Sequence, residues 1–216
     1  MKKLLLHSCC AVCTIGALHA LKEIKNTEYD TTLYFCNDNI DNFDEFERRL
    51  PLWSMVSEIV GVGVPDCPQV SSMIDKGRQN AAPANTTPKN QNFLNNNSKL
   101  IIEPYNHEKF LSKTKGFESE KEGGRRCKKC FELRLQKTFE KAKELNFDYF
   151  STTLTISPHK NSQVIFECGE RLQVGGAEFL KIDFKKNDNF RKAIELSKKY
   201  GIYRQNYCGC EFSKRY

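Results

Sequence analysis

Short runs with the composition of buried strands alternate along this chain with runs that have helical spacing. The first run, Lys2–His7, is a leucine stretch bounded by lysines, and residues 31–36 (TTLYFC) form a second β-rich run. Between them, residues 14–25 place apolar side chains on one face of a helix. Strand, loop, helix and strand in this order form the unit of a parallel α/β sheet, so the opening of the chain predicts an α/β fold.

The same alternation continues to the end of the chain. Further strands are predicted at residues 100–105, 149–156 and 178–184, and further helices at 43–60, 107–115, 131–145 and 188–200. Ser157 and Pro158 have the form of an N-cap followed by proline at the first helical position, which predicts another helix towards Leu172. We predict a single domain over residues 1–216, built on a doubly wound, mainly parallel sheet.

Residues 62–98 differ in composition from the rest of the chain. Asparagines recur there among prolines, serines and threonines, and few large apolar side chains are present. Such a composition does not supply a core of its own. We predict a flexible, asparagine-rich insertion within the domain.

Composition limits the function classes. The mean hydropathy is −0.60, and no uninterrupted apolar stretch approaches the ~18–20 residues of a membrane span. Lysine and arginine number 34 against 27 acidic residues, which gives a net charge of +7. This excess suits an anionic partner such as RNA, although many solvated surfaces carry the same charge.

The chain contains ten cysteines, whose meaning depends on the compartment. The N-terminus resembles a signal peptide, but its apolar run before His7 holds only Leu4, Leu5 and Leu6, against the ~7–15 residues that a signal peptide requires. We therefore expect a cytoplasmic protein without a membrane anchor. Thiols stay reduced in the cytoplasm, and grouped cysteines there bind metal or carry redox chemistry.

Two cysteine groups are placed where a site is expected. Cys9, Cys10 and Cys13 follow the first predicted strand, at the edge where doubly wound sheets bind ligands, and they precede a helix whose positive end stabilises thiolate. Cys127 and Cys130 form a CxxC just before the predicted 131–145 helix. This spacing allows both sulfurs to reach one metal ion or one cluster, and four cysteines also suit structural zinc.

The remaining cysteines divide into a pair and three single residues. Cys208 and Cys210 flank a glycine, so they are able to close a tight, strained disulfide of the labile or catalytic kind. Cys36, Cys67 and Cys168 are isolated, and we interpret them as small buried or loop residues. Spacing alone leaves metal binding and redox chemistry both open.

Several motifs, in order, resemble those of the QueH-type epoxyqueuosine reductases. They are LHSCCAVC at 6–13, GGRRCKKCFELRL at 123–135, TTLTISPHKN at 152–161, DFKK at 183–186 and YRQNYCGCEFS at 203–213. Val12 replaces the proline usual in the first motif. Residues 62–98 resemble no part of that family, which predicts a lineage-specific insertion.

The resemblance implies reduction of epoxyqueuosine to queuosine in the anticodon loop of tRNA, the last step of queuosine biosynthesis. It implies an adenine-nucleotide-hydrolase-like α/β fold, an unidentified electron donor, and a 4Fe–4S cluster with the possibility of one additional iron. The implied cluster ligands are Cys9, Cys10, Cys127 and Cys130, the implied redox pair is Cys208 and Cys210, and Cys13 is a candidate second-metal ligand or lines the site.

A tRNA substrate requires contacts to phosphates and to unpaired bases. The candidates are Arg125, Arg126, Lys185, Lys186 and Arg204 for phosphates, and Tyr203 and Tyr207 for stacking. Two alternatives are weighed against this function. One is a zinc-stabilised α/β module that binds RNA without catalysis; the other is an ATP-dependent enzyme, which the absence of glycine between His7 and Cys13 disfavours.

Overall fold

Five parallel strands form one sheet in the order β3-β2-β1-β4-β5, which confirms the predicted α/β fold. The computed structural model describes residues 1–24, 28–50, 99–172 and 175–214. The strands are β1 (Lys2–His7), β2 (Tyr29–Phe35), β3 (Leu100–Ile102), β4 (Tyr149–Thr152) and β5 (Glu178–Phe179).

Helices connect and cover these strands. They are α1 (Ala11–Glu23), α2 (Phe43–Arg48), α3 (His107–Thr114), α4 (Arg125–Glu144), α5 (Ser162–Glu170) and α6 (Asn189–Lys199). Leu4, Leu5 and Leu6 of β1 are fully buried although successive side chains point to opposite faces. The central strand is therefore covered on both faces, as parallel sheets require, and this explains its unbroken run of leucines.

The predicted 149–156 strand is wrong in its second half. β4 ends at Thr152, and Thr153–Ile156 form a buried 3₁₀ turn. Both neighbours run out at this point, because β1 ends opposite Thr152 and β5 pairs only as far as Phe150. Without a partner, the backbone turns inward instead of extending.

The helix predicted to open at Ser157 and Pro158 begins later. Asn161 is the N-cap of α5, and its side chain accepts hydrogen bonds from the backbone N–H groups of Gln163 and Val164. Ser157 instead accepts a hydrogen bond from the backbone N–H of His159. The Ser-Pro pair therefore makes a turn that carries the chain from the 3₁₀ segment to α5.

Other observed element boundaries differ from the predicted ones by a few residues, and two of these differences change the surroundings of cysteines. The helix predicted at 14–25 starts at Ala11, and the helix predicted at 131–145 starts at Arg125. The strand predicted at 178–184 is reduced to two residues. The predicted insertion at 62–98 and the second part of the 43–60 helix lie outside the described residues. Among the described helices, none combines the length and the apolar character needed to cross a membrane.

Candidate active site

A cavity of about 350 Å³ opens beyond the carboxyl end of β1. The chain runs from β1 to β2 and β3 on one side of the sheet and then crosses over to β4 on the other side of β1, and ligands bind at such a switch point. Cys9, Cys10 and Cys13 line this cavity together with Cys208. The structure thus places four of the seven predicted site cysteines around one space.

Three of these cysteines form a compact sulfur group. The Sγ atoms of Cys9, Cys10 and Cys13 all lie within 4.8 Å of one another, and no other set of three potential metal ligands meets this criterion in the described part of the chain. Cys10 is the N-cap of α1, and its Sγ accepts a hydrogen bond of 3.4 Å from the backbone N–H of Cys13. The thiols therefore lie at the positive end of the helix.

Thr153, in the 3₁₀ turn, fixes the first cysteine of the group. Its hydroxyl donates to Cys9 Sγ over 3.3 Å and accepts from the Cys9 backbone N–H over 3.1 Å. The replacement of strand by 3₁₀ turn after β4 is what brings this hydroxyl to the cysteine loop. The sequence offered no sign of this contact, because Thr153 lay within a predicted strand.

Cys9 is the thiol of this group that loses its proton most readily. Hydrogen bonds from the Cys10 and Cys13 thiols lower the pKa of Cys9 well below its usual value, against the effect of burial. The pKa of Cys13 is raised well above its usual value, since Cys13 donates to Cys10 and Cys9 and is desolvated. This arrangement favours the thiolate form of Cys9 beside two thiol donors, and a metal that binds here replaces the remaining protons.

Cys127 and Cys130 lie inside α4, not before it as predicted. The Cys127 Sγ accepts a hydrogen bond of 3.2 Å from the backbone N–H of Gly123, and Cys130 packs with Cys210 and Phe110 in a small apolar cluster. Burial raises the pKa of Cys130 to about 12. The structure does not gather this pair into the sulfur group of Cys9, Cys10 and Cys13.

The Cys208-Gly209-Cys210 turn is held by a buried arginine. Gly209 has a φ of +110°, a conformation that favours glycine, and its carbonyl accepts from the backbone N–H of Asp41. Arg49 Nη1 donates to the Cys208 carbonyl over 3.0 Å. Both cysteines are free thiols in this structure, with Cys208 facing the cavity and Cys210 buried.

Arg49 is itself locked by its neighbours. Its guanidinium forms an ion pair of 2.6 Å with the buried Glu45 and stacks over the ring of Tyr207 at 4.8 Å. Its backbone carbonyl accepts from the N–H of Ala11, directly after Cys10. One residue therefore links the loop that follows β1 to the Cys208 turn, and no sequence motif indicated it.

A second buried arginine, Arg134 of α4, also lines the cavity. Arg134 Nε donates to His7 Nε2 over 3.2 Å, and its terminal nitrogen donates to the Asn37 side-chain oxygen. Asn37 in turn donates to the Ser8 carbonyl over 2.8 Å. This network joins the carboxyl ends of β1 and β2 to the helix that carries Cys130. Arg134 lies within one of the quoted motifs, but spacing gave it no role.

The basic residues predicted for tRNA lie in different environments. Arg204 is exposed and lines the cavity, and Arg125 and Lys186 are exposed elsewhere. Lys185 is half-buried and donates to Ser162 Oγ and the Lys160 carbonyl. Arg126 is buried and donates to the backbone carbonyls of residues 117, 118 and 120, so its charge organises the loop before α4.

The two predicted stacking tyrosines are anchored by their hydroxyl groups. Tyr203 donates to Glu45 over 2.8 Å, and Tyr207 donates to Asp41 over 2.6 Å. The guanidinium of Arg48 covers the Tyr203 ring at 4.2 Å. Both rings are half-buried, and Tyr207 lines the cavity.

Comparison with known proteins agrees with the resemblance. A family model described as "Epoxyqueuosine reductase QueH" matches residues 4–70 and 81–216. The epoxyqueuosine reductase QueH of Streptococcus pyogenes serotype M1 is 38% identical over 214 residues, which cover 98% of this chain and 70% of that protein. The protein of the same description from Thermotoga maritima is 28% identical over 214 residues, covering 99% of this chain and 91% of that protein.

The family match also corrects one expectation. Residues 62–98 were expected to have no counterpart in the family, but the family model omits only residues 71–80 of this segment. Most of the segment is therefore family sequence of unusual composition. The Staphylococcus aureus strain Mu50 protein carries the same description and is 36% identical over 98% of this chain and 75% of its own length.

Proposed function

Because this chain belongs to the QueH family of epoxyqueuosine reductases, we propose that it reduces epoxyqueuosine to queuosine in tRNA. The observation that carries the proposal is the sulfur group of Cys9, Cys10 and Cys13 at the switch point of the sheet, beside Cys208. A zinc-stabilised module without catalysis is the less favoured alternative, because the family model and the similar proteins are described as reductases.

The donor set fits a metal centre. Three thiols within 4.8 Å of one another, on the positive end of a helix, suit a thiolate-bound iron site. We propose that Cys9, Cys10, Cys127 and Cys130 hold a 4Fe–4S cluster, and that Cys13 lines the site or binds an additional iron. When bound, such a cluster supplies electrons one at a time.

The CxC pair supplies the electrons and protons that balance the reaction. Removing an epoxide oxygen to leave an alkene requires two electrons and two protons, and the oxygen leaves as water. Oxidation of the Cys208 and Cys210 thiols to a disulfide provides both electrons and both protons. The free thiols in the structure correspond to the reduced state, and an electron donor is needed to restore them after each turnover.

The protein surface favours a polyanionic substrate. The chain carries a net charge of +7, and the exposed Arg204 stands on the wall of the cavity. Arg125, Lys185 and Lys186 are further candidates for contacts to anticodon-stem phosphates. Binding through phosphates releases counterions, so the affinity for tRNA falls steeply as salt is raised.

The test is anaerobic reduction of tRNA that contains epoxyqueuosine, followed by mass spectrometry of the nucleosides. The reconstituted wild-type protein is expected to be brown and to convert epoxyqueuosine to a product that lacks one oxygen atom. Cys127→Ser is expected to lose the cluster spectrum, whereas Cys208→Ser keeps the spectrum and loses turnover.

Cys168 provides the matched control, because it is 2% exposed and packs in the core away from the cavity. Cys168→Ala is expected to keep both the spectrum and turnover. A colourless protein with stoichiometric zinc contradicts the proposal. So does a Cys127→Ser variant with an intact cluster spectrum, as far as the assignment of ligands is concerned.

A further inference from the structure

We infer that Arg134 is an electrostatic positioning residue of this site, whose buried guanidinium is the counter-charge of the anionic group bound by the cysteines and raises the reduction potential of that group. The inference rests on the proposed function, because it concerns the cofactor that the cysteines are proposed to hold. It follows from where Arg134 lies, what it touches and what it lacks.

Arg134 projects from α4 towards the cysteines. It is 5% exposed, and it lines the same cavity as Cys9, Cys10, Cys13 and Cys208. On α4 it stands four residues after Cys130, so the two side chains share one face of the helix. Arg134 therefore lies on the wall of the cavity that holds Cys9, Cys10 and Cys13, and on the face of α4 that carries Cys130.

The hydrogen-bond partners of Arg134 are neutral. Its terminal nitrogen donates to the amide oxygen of Asn37, and its Nε donates to His7 Nε2. Since Nε2 accepts, the hydrogen-bond network assigns the proton of His7 to Nδ1, which lies 2.8 Å from Thr152 Oγ1. Neither partner offsets the positive charge.

No carboxylate stands within ion-pair distance of Arg134 in residues 1–24, 28–50, 99–172 and 175–214. Of the other buried arginines, Arg49 is paired with Glu45, and Arg126, which donates to three backbone carbonyls, does not line the cavity. A buried charge without a counter-ion is strongly unfavourable, so buried charges are normally paired. Glu122 also lines the cavity, but it is exposed to solvent, so the buried groups there that can supply the opposite charge to Arg134 are thiolates and whatever they bind.

A cation at this position favours the more negative oxidation state of a bound group. In the interior, a unit charge a few ångströms away changes such an equilibrium by about tenfold or more. The same charge assists the deprotonated state that the cysteines need for binding metal. Arg134 thus acts through the cofactor and not on the substrate.

The experiment uses Asn37→Asp to neutralise the charge of Arg134. This substitution places a carboxylate oxygen where the amide oxygen of Asn37 already accepts a hydrogen bond from Arg134. Asn37→Ala is the control for structure: like Asn37→Asp it loses the donation to Ser8, and it removes the acceptor for Arg134 without adding charge. The reduction potential of the reconstituted protein is measured by anaerobic dye titration, with the cluster spectrum as readout.

For Asn37→Asp we expect the ratio of reduced to oxidised cluster at a fixed potential to fall by about tenfold, equivalent to about 59 mV for a one-electron couple. For Asn37→Ala we expect less than a threefold change. Arg134→Lys should preserve the ratio and Arg134→Met should lower it, which repeats the test without altering Asn37.

The inference is overturned if Asn37→Asp and Asn37→Ala change the ratio equally, because Asn37 then acts through structure alone. Failure of the proposed function has a different signature, namely a wild-type protein without iron or without turnover. If both Arg134 variants fail to fold, the Asn37 pair still decides the question, since circular dichroism of those two proteins reports whether the fold is intact.

Discussion

Replacing Gly209 with alanine tests how tightly the Cys208-Gly209-Cys210 turn is held. A Cβ at this position lies 2.8 Å from Arg49 Nη1, 3.1 Å from Ile40 Cγ1 and 3.3 Å from Asn39 Nδ2. The first distance is shorter than real contacts allow, so the guanidinium of Arg49 must move. That movement breaks its 3.0 Å hydrogen bond to the Cys208 carbonyl.

Two costs add up in this variant. An alanine at a φ of +110° costs about 1–3 kcal/mol in backbone strain. Loss of a hydrogen bond from a charged donor costs about 1.5–3 kcal/mol more. We therefore expect Gly209→Ala to lower the free energy of unfolding by about 2.5–6 kcal/mol, and to speed alkylation of Cys208 by iodoacetamide.

Gly116 supplies the control for backbone strain. It has a φ of +87°, and a Cβ added there meets nothing within 4 Å. Gly116→Ala should therefore cost only the strain. Urea unfolding of the metal-free proteins measures both changes, and alkylation followed by mass spectrometry measures the reactivity of Cys208. Equal destabilisation of the two variants, with an unchanged rate at Cys208, would refute the role assigned to Arg49.

Two further predictions concern the frame around the site. A Cβ on Gly16 of α1 would lie 2.2 Å from Ile156 Cδ1 and 2.8 Å from Ala193 Cβ. Gly16→Ala should therefore lower the free energy of unfolding, measured by urea titration, by about 1–3 kcal/mol. An unchanged free energy of unfolding would contradict the tight packing of α1 on α6. Burial raises the pKa of Asp41, but hydrogen bonds from Lys214 and Tyr207 outweigh burial and leave this pKa below its usual value. Stability from Asp41 is therefore present above the unfolded pKa of about 3.9 and is lost as pH falls through the folded value, so Asp41→Asn should flatten the acid limb of a pH–stability profile; an unchanged limb would contradict this.

Much of the architecture follows from local patterns in the sequence. The leucines of β1 and the helical spacing after them indicate a parallel α/β unit, because a strand covered on both faces is apolar throughout and a covering helix is apolar on one side. That placement puts Cys9 and Cys10 at the carboxyl end of a strand before any contact is known. The helix predicted over residues 107–115 is likewise confirmed to within one residue.

Element boundaries depended on neighbours that local patterns do not contain. α4 begins six residues earlier than predicted, so Cys127 and Cys130 are separated by one helical turn on a rigid element and not by a loop. Thr153 is turned towards Cys9 because β4 has no partner beyond Thr152. A strand ends where its hydrogen-bond partners end, and those partners are distant in sequence.

The sequence alone determined which residue types are available for chemistry: ten cysteines in a basic α/β chain, with seven of them in motifs that resemble one enzyme family. Only the tertiary structure decided which cysteines lie close together. It also decided that Arg49 donates to the Cys208 carbonyl and that Arg134 donates to His7, which precedes the first cysteine loop. The physical reason is that a buried charge is stable only beside particular partners. Those partners come from strands and helices that lie more than a hundred residues apart, and folding alone brings them together.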